Sequence, residues 1–567
     1  EKGDTMSGIA ILAIAIVALG AGYIFYGKWL AKKWGVNNSI KTPAIEINDG
    51  IDYVPTKKQV VFGHQFASIA GAGPINGPIQ AAVFGWLPVM LWCIIGGIFF
   101  GAVQDFSSMF ASVRNKGRSI GIIIENYVGK TGKRLFLLFV YFFSILVVAA
   151  FSDIVAKSFG VSEAFTETVN HANSQVACTS TLFIVAAVAL GFWIKAKQPG
   201  TALNTAVSII MLIICVALGC LFPFSLSVNT WMYLVFIYIL IASVVPVWAL
   251  LQPRDYLNSY LLIFMIAAAV VGIFVSNPKM ELPAFTGFTS SIGSMFPILF
   301  VTIACGAVSG FHSLVSSETA SKQVEKESDM LPISYGAMLV ESLLGIIALV
   351  AVGAVAVNGV IPAGTPQVIF SQAVSGFLAG IGIPADISFT LISLAVSAFA
   401  LTSLDSVARV GRLSFQELFL DKEDEDTSNL PEWKKILTNR WVATIIVLVP
   451  SFALAKVGYQ EIWALFGSAN QLLSVLALAA VAVYLKKANK SNKMMFFPMF
   501  FMLAVTVVAL IQLIISNIVT FGKSAAVSAF GQSMQIILAA LLVALAIIVV
   551  IACCRKLFGK DEEKAKA

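Results

Sequence analysis

The 567-residue chain is 58% apolar, 12% charged and carries a formal charge of +7, whereas a soluble domain carries roughly 25% charged residues. Its charges stand in short clusters between long apolar runs, which excludes a soluble enzyme and makes this a membrane protein. Seven cysteines (Cys93, Cys178, Cys215, Cys220, Cys305, Cys553 and Cys554) lie mostly inside those runs and read as small buried hydrophobes rather than a disulfide framework or a zinc set.

Glu1 to Thr5, ahead of Met6, read as an extraneous or processed end. The apolar run 8–29 is flanked on its far side by Lys28, Lys32 and Lys33, which predicts a retained anchor with its N-terminus outside. A span needs about 20 apolar residues. Fifteen are predicted, at 8–29, 60–80, 86–112, 135–157, 177–194, 201–222, 230–248, 257–275, 292–312, 333–357, 386–408, 440–456, 462–485, 495–516 and 532–553. Alternation then puts the C-terminus and the loops 31–59, 113–134, 195–200, 249–256, 322–332, 409–439 and 486–494 in the cytoplasm. All but five of the 37 basic residues (Lys2, Lys157, Lys279, Lys456 and Lys523) fall on that side. The basic excess is a topology signal in an inner (plasma) membrane, and a nucleic-acid partner loses its support.

Two spans are interrupted. In Gly71-Ala-Gly-Pro-Ile-Asn-Gly-Pro78, five of eight residues are Gly or Pro and cannot sustain a helix. Backbone freed at membrane depth survives where it lines a cavity, contacts a ligand or is packed in protein. Small and polar residues interrupt Ala304-Cys-Gly-Ala-Val-Ser-Gly-Phe-His312 in the same way, with small-residue helix packing as the plainer reading. The two spans run in opposite senses, as inverted repeats require, and each carries one of the three histidines, His64 and His312. A substrate site is expected between them, formed by Gln65, Gly71, Gly73, Asn76, Gly77, Gly306, Ser309 and His312.

Charged groups within spans are expensive, and Asp105, Glu318, Glu341, Asp405 and Arg409 are the candidates. Asp105 and Arg409 stand near cytoplasmic ends, where capping or snorkelling also accounts for them. Glu341 is deeper, suited to proton titration or a structural hydrogen bond. Thr402 and Ser403 offer hard oxygen to a small cation, with hydroxyl back-bonding to their own helix as the alternative. His64, His312 and Glu318 could hold a divalent ion such as zinc if the fold brought them together. The Arg254–Asp255 pair reads as a loop cap, and the acidic run Asp421 to Asp426 as a solvated loop. No catalytic-serine elbow, HExxH, phosphate loop or Cys-x-x-Cys is present, so neither enzyme chemistry nor ATP-driven transport is expected.

Gly63-His-Gln-Phe-Ala-Ser-Ile-Ala-Gly-Ala-Gly-Pro74, Gln252-Pro-Arg-Asp-Tyr-Leu257, Ser309-Gly-Phe-His312 and Ile462-Trp-Ala-Leu-Phe-Gly-Ser-Ala-Asn-Gln-Leu472 resemble the carbon starvation protein A (CstA) family. That resemblance implies uptake of peptides or pyruvate. It also implies an all-α, five-plus-five inverted-repeat core of the leucine-transporter type, with its first and sixth helices broken. One departure is Ser316-Ser-Glu-Thr-Ala320, where Glu318 adds a carboxylate to the expected Ser-Ser-Gly-Thr-Thr. On this frame 1–59 is a peripheral span and loop, 60–222 the first repeat, 223–291 a two-span insertion, 292–485 the second repeat and 486–567 a peripheral pair. A covering helix is expected near 369–382, and Thr402 and Ser403 fall on the eighth core helix, facing carbonyls of Ala67 and Ala70 as in sodium-coupled relatives. The expected function is a secondary importer of small peptides or a small carboxylate by alternating access, needing no cofactor. Protons are favoured as the coupling ion through His64, His312, Glu318 and Glu341, with sodium at Thr402, Ser403 and Asp405 as the alternative. A channel and a metal-binding sensor are the competing classes.

Overall fold

The computed structural model describes residues 6–49, 53–197, 200–246, 249–420, 431–523 and 527–559. The first five residues and the acidic run lie outside them. The described chain is helical apart from a small hairpin pairing Thr289–Ser290 with Gly293–Ser294. Eleven helices are long and apolar enough to cross a membrane, or twelve if Glu432–Thr438 and Arg440–Ala455, bent by 61°, act as one. The other three of the fifteen expected positions hold shorter helices: the 17-residue Val228–Val244 and the two interrupted elements.

The interruptions have a clear backbone origin. Helix Lys58–Ile69 stops where Ala70 leaves helical geometry (φ −75°, ψ 71°) and Gly71 N–H turns back to the Ile69 carbonyl at 2.8 Å; Gly73–Ala81 then restarts with Pro74 in its first turn. Helix Met295–Thr302 stops at Ile303 (φ −94°, ψ 61°), and Gly310–Glu318 restarts after an extended Ser309. The breaks close on one another through small residues. A Cβ on Gly77 would stand 2.6 Å from the Thr302 carbonyl oxygen, and one on Gly73 would overlap the Cys305 side chain. Only glycine permits that approach.

Around this pair stands a buried frame. Tyr459–Lys487 is buried along nearly all of its length, and Lys130–Phe159, Ala337–Val355 and Ala385–Glu417 along most of theirs, whereas Leu203–Leu221 presents most of its surface outward, with Ile213 and Leu221 exposed. That outward apolar surface is what a lipid-facing helix requires. Thr201–Leu221 packs chiefly on Glu167–Lys197; Leu251–Ser276 reaches inward to Lys58–Ile69 and Ala385–Glu417. Both peripheral helices at the C-terminal end, Lys493–Val519 and Ala529–Phe558, pack on Tyr459–Lys487. The covering helix forms as Pro366–Ala379. On the face assigned to the cytoplasm, Arg114 forks onto fully buried Glu327 (2.5 and 2.9 Å), which also accepts the Asn37 N–H at 2.8 Å. That junction ties the loop after the first span to the segment following the second break.

Candidate functional site

Asp105, His312 and Glu341 meet in the protein interior, and none is more than 1% exposed at its side chain. His312 Nδ1 stands 3.0 Å from Asp105 Oδ2, and His312 Nε2 stands 3.3 Å from Glu341 Oε2. His312 comes from the second half of the second broken helix. Asp105 lies on Ala102–Arg114 and Glu341 on Ala337–Val355, each about one turn beyond a π-helical turn, Gly97–Gly101 and Leu331–Gly336 respectively. A π turn shifts the helical register, so residues after it face where a regular helix would not carry them.

Hydrogen bonds hold the start of the helix that carries His312. Gln104 Nε2 donates to the Ser309 carbonyl at 2.8 Å, and Asn470 Oδ1 accepts the Phe311 N–H at 3.1 Å while its Nδ2 donates to Ser309 Oγ at 3.0 Å. The freed backbone of the second break is thereby satisfied by side chains of neighbouring helices, as buried backbone demands. Among the described residues no lysine or arginine forms a salt bridge with Asp105 or Glu341. Two carboxylates facing one imidazole, with no fixed cation beside them, are costly to bury and mark a functional group of residues.

A second buried group lies beside the first break. Arg254 Nη1 contacts Asp405 Oδ2 and donates to the Tyr238 hydroxyl at 2.7 Å; that hydroxyl donates to the same Asp405 oxygen at 2.7 Å, and Arg254 Nη2 pairs with Asp255 at 2.9 Å. One turn away, Thr402 donates to the Ala398 carbonyl (2.9 Å) and accepts from Asn258 Nδ2 (2.8 Å). Ser403 has no hydrogen-bond partner and stands against Gly71.

Several expectations change accordingly. Asp405 is held by a guanidinium rather than left free as an ion ligand, and the Thr402 hydroxyl is already engaged on both sides. Of the sodium set, Ser403 alone stands with a free hydroxyl at the first break, beyond Ala67 and Ala70. The zinc set is not assembled: His312 turns both ring nitrogens to carboxylates, and Glu318 stands six residues on, about 9 Å along the same helix. Among the described residues no group of His, Cys, Asp and Glu is suited to hold a metal. His64 is half-buried with Nε2 unpartnered.

Of the residues expected at the substrate site, Gly73, Gly77 and Gly306 stand at the closely packed junction of the breaks, whereas Gly71 stands against Ser403 and Phe151. Gln65 Nε2 reaches across to Ser316 Oγ at 2.8 Å, leaving its Oε1 unpartnered. Asn76 is fully buried with both amide atoms unpartnered, the strongest sign of a polar group reserved for a ligand or water. Sequence reasoning missed Gln104, Tyr238, Asn258 and Asn470, and treated Arg254 as a loop cap. Arg409 does cap, donating to the Ala242 and Val245 carbonyls at 3.0 and 2.6 Å.

Fold and site together define a multi-pass membrane protein organised around buried titratable groups at two helix breaks. The chain belongs to the carbon starvation protein CstA family, whose family model matches residues 7–361 and 354–509. Curated relatives carry transporter names. The peptide transporter CstA of Escherichia coli is 32% identical over 87% of this chain and 79% of the relative, and that of Bacillus subtilis is 32% identical over 86% of each. The pyruvate/proton symporter BtsT of E. coli is 36% identical, and the peptide transporter CstA of Campylobacter jejuni 37%; in each case the match covers 62% of this chain and half of the relative's length. Among solved structures, MhsT in complex with L-phenylalanine aligns over 89% of this chain and 99% of that one (TM-score 0.45, 14% identity). A mutant of the Eremococcus coleocola manganese transporter aligns over 90% and 99% (TM-score 0.44, 12% identity).

Proposed function

We propose that this chain is a proton-coupled secondary transporter importing a small carboxylate such as pyruvate, or short peptides, by alternating access. The observation that carries the reading is the Asp105–His312–Glu341 cluster. It is buried, and its three members come from three separate helical elements, one of them half of a broken helix. Movement of Gly310–Glu318 relative to the two flanking helices would part the carboxylates from the imidazole and admit water, so proton binding and helix position are linked. The named activities of the CstA and BtsT relatives point to the same substrate class. Asn76 and Gln65, with unpartnered amide atoms at the first break, are the polar contacts proposed for substrate.

The sodium alternative finds less support, because Thr402 and Asp405 already have partners. The repeat division stands as part of the proposal with one amendment: Leu251–Ser276, which packs on the first broken helix, takes the fifth core position, and the insertion becomes Thr201–Leu221 and Val228–Val244. The N-terminus lies outside and the C-terminus in the cytoplasm in this scheme. Proteoliposomes in sodium-free buffer test the function. Labelled pyruvate or dialanine should enter saturably and faster under an imposed inward pH gradient. Uptake that requires sodium and ignores the pH gradient would transfer coupling to the Ser403 region.

A further inference from the structure

A separate small cavity, with about 20 Å³ of free volume behind an open mouth, lies on the face that this topology makes extracellular. It is bounded by the ends of Lys130–Phe159 and Tyr459–Lys487, the start of Glu167–Lys197 and the N-terminus of the covering helix Pro366–Ala379. Its polar lining is Lys157, Ser158, Asn173, Thr365, Gln367, Ser393 and Tyr459.

Two of these side chains are built into the protein yet lack partners. Tyr459 is 1% exposed and its hydroxyl makes no hydrogen bond; Gln367 is 7% exposed and its Nε2 makes none. Leaving a buried donor unsatisfied costs about 1–3 kcal/mol, and both line the same cavity. Lys157 supplies a third donor. Asp153 holds it, accepting from Lys157 Nζ at 2.8 Å and from the Tyr459 N–H at 2.7 Å, and the ammonium rests 5.0 Å from the Tyr459 ring centre. The N-terminus of the 14-residue covering helix adds backbone N–H groups, and the Thr365 hydroxyl does not cap them. Asp153 balances Lys157, so an anion would be selected by convergent donors rather than by net charge. Phe165, Val169 and Val368 add apolar lining.

We propose that this cavity is an outer binding site for the carboxylate of the transported solute, separate from the helix breaks and occupied before the solute reaches them. The inference rests on the proposed import of a small carboxylate or peptide. The shared chemistry is one carboxylate carried on a small, partly apolar body, as in pyruvate or the C-terminus of a dipeptide.

The test uses the full chain in lipid nanodiscs with Thr365→Cys as reporter, its alkylation by a membrane-impermeant maleimide followed by site-resolved mass spectrometry so that native cysteines do not interfere. Pyruvate, dialanine, or both should slow labelling at position 365 at least threefold in a saturable manner, and the two arms identify the source of the carboxylate. Adding Tyr459→Phe, which deletes only the unpartnered hydroxyl, should raise the half-protecting concentration about tenfold, as should Lys157→Met. Protection in the reporter chain without uptake in proteoliposomes would retain this site and overturn the transport reading. No protection by either probe, or protection unchanged in both donor variants, would overturn the outer site.

Discussion

Glu341→Gln is expected to abolish accumulation driven by a pH gradient while leaving substrate exchange close to normal. Glutamine keeps the size of the side chain but cannot take up or release a proton, so the His312 contact persists without a titrating partner. One pH unit is worth about 1.4 kcal/mol per proton. With one proton per substrate, the unaltered protein should therefore concentrate substrate about tenfold across an inward gradient of one unit, and the variant should reach only equal concentrations on the two sides. Counterflow of labelled against unlabelled substrate needs no net proton movement and should fall less than about threefold, since binding and helix movement can proceed without coupling free energy. Full accumulation by the variant would remove Glu341 from the coupling path. Loss of accumulation and exchange together would mark it as a structural group.

Arg254→Met is expected to have the largest effect on stability. Arg254 is 1% exposed and Asp405 fully buried, and methionine would leave Asp405 with the Tyr238 hydroxyl alone. Removing one member of a buried pair costs about 3–5 kcal/mol, because the remaining charge is stranded. Combining Arg254→Met with Asp405→Asn should recover most of the loss. Denaturation of the detergent-solubilised protein by heat would reveal the difference; a single variant as stable as the unaltered chain would show that the pair carries no net weight.

Much of the architecture is written in composition. Apolar runs and their basic flanks mark the helices, and the Gly and Pro residues of Gly71–Pro78 mark the first break, because those residue types act locally. The hydroxyls of Thr402 and Ser403 looked equivalent in sequence, but Asn258, 144 positions away, engages only the first. His312 was visible as a histidine at a break; its partners Asp105 and Glu341 are 207 and 29 residues distant, and only the packing of three elements reveals the cluster. Arg254 followed by Asp255 reads as a local pair, whereas its guanidinium also reaches Asp405 and Tyr238. The repeat boundary proposed above moves for a related reason: hydropathy recognises Thr201–Leu221 and Leu251–Ser276 equally well, and only packing sets apart the helix that lies against Lys58–Ile69.

Proton entry with substrate is the most direct measure of the central claim. Proteoliposomes loaded with a pH-sensitive dye, in sodium-free buffer at equal pH on both sides, would receive pyruvate or dialanine outside while labelled uptake is followed in parallel, with protein-free vesicles as the blank. Interior acidification should accompany uptake at about one proton per substrate above the blank and should be lost in Glu341→Gln. Saturable uptake with no acidification beyond the blank would contradict proton coupling through Asp105, His312 and Glu341.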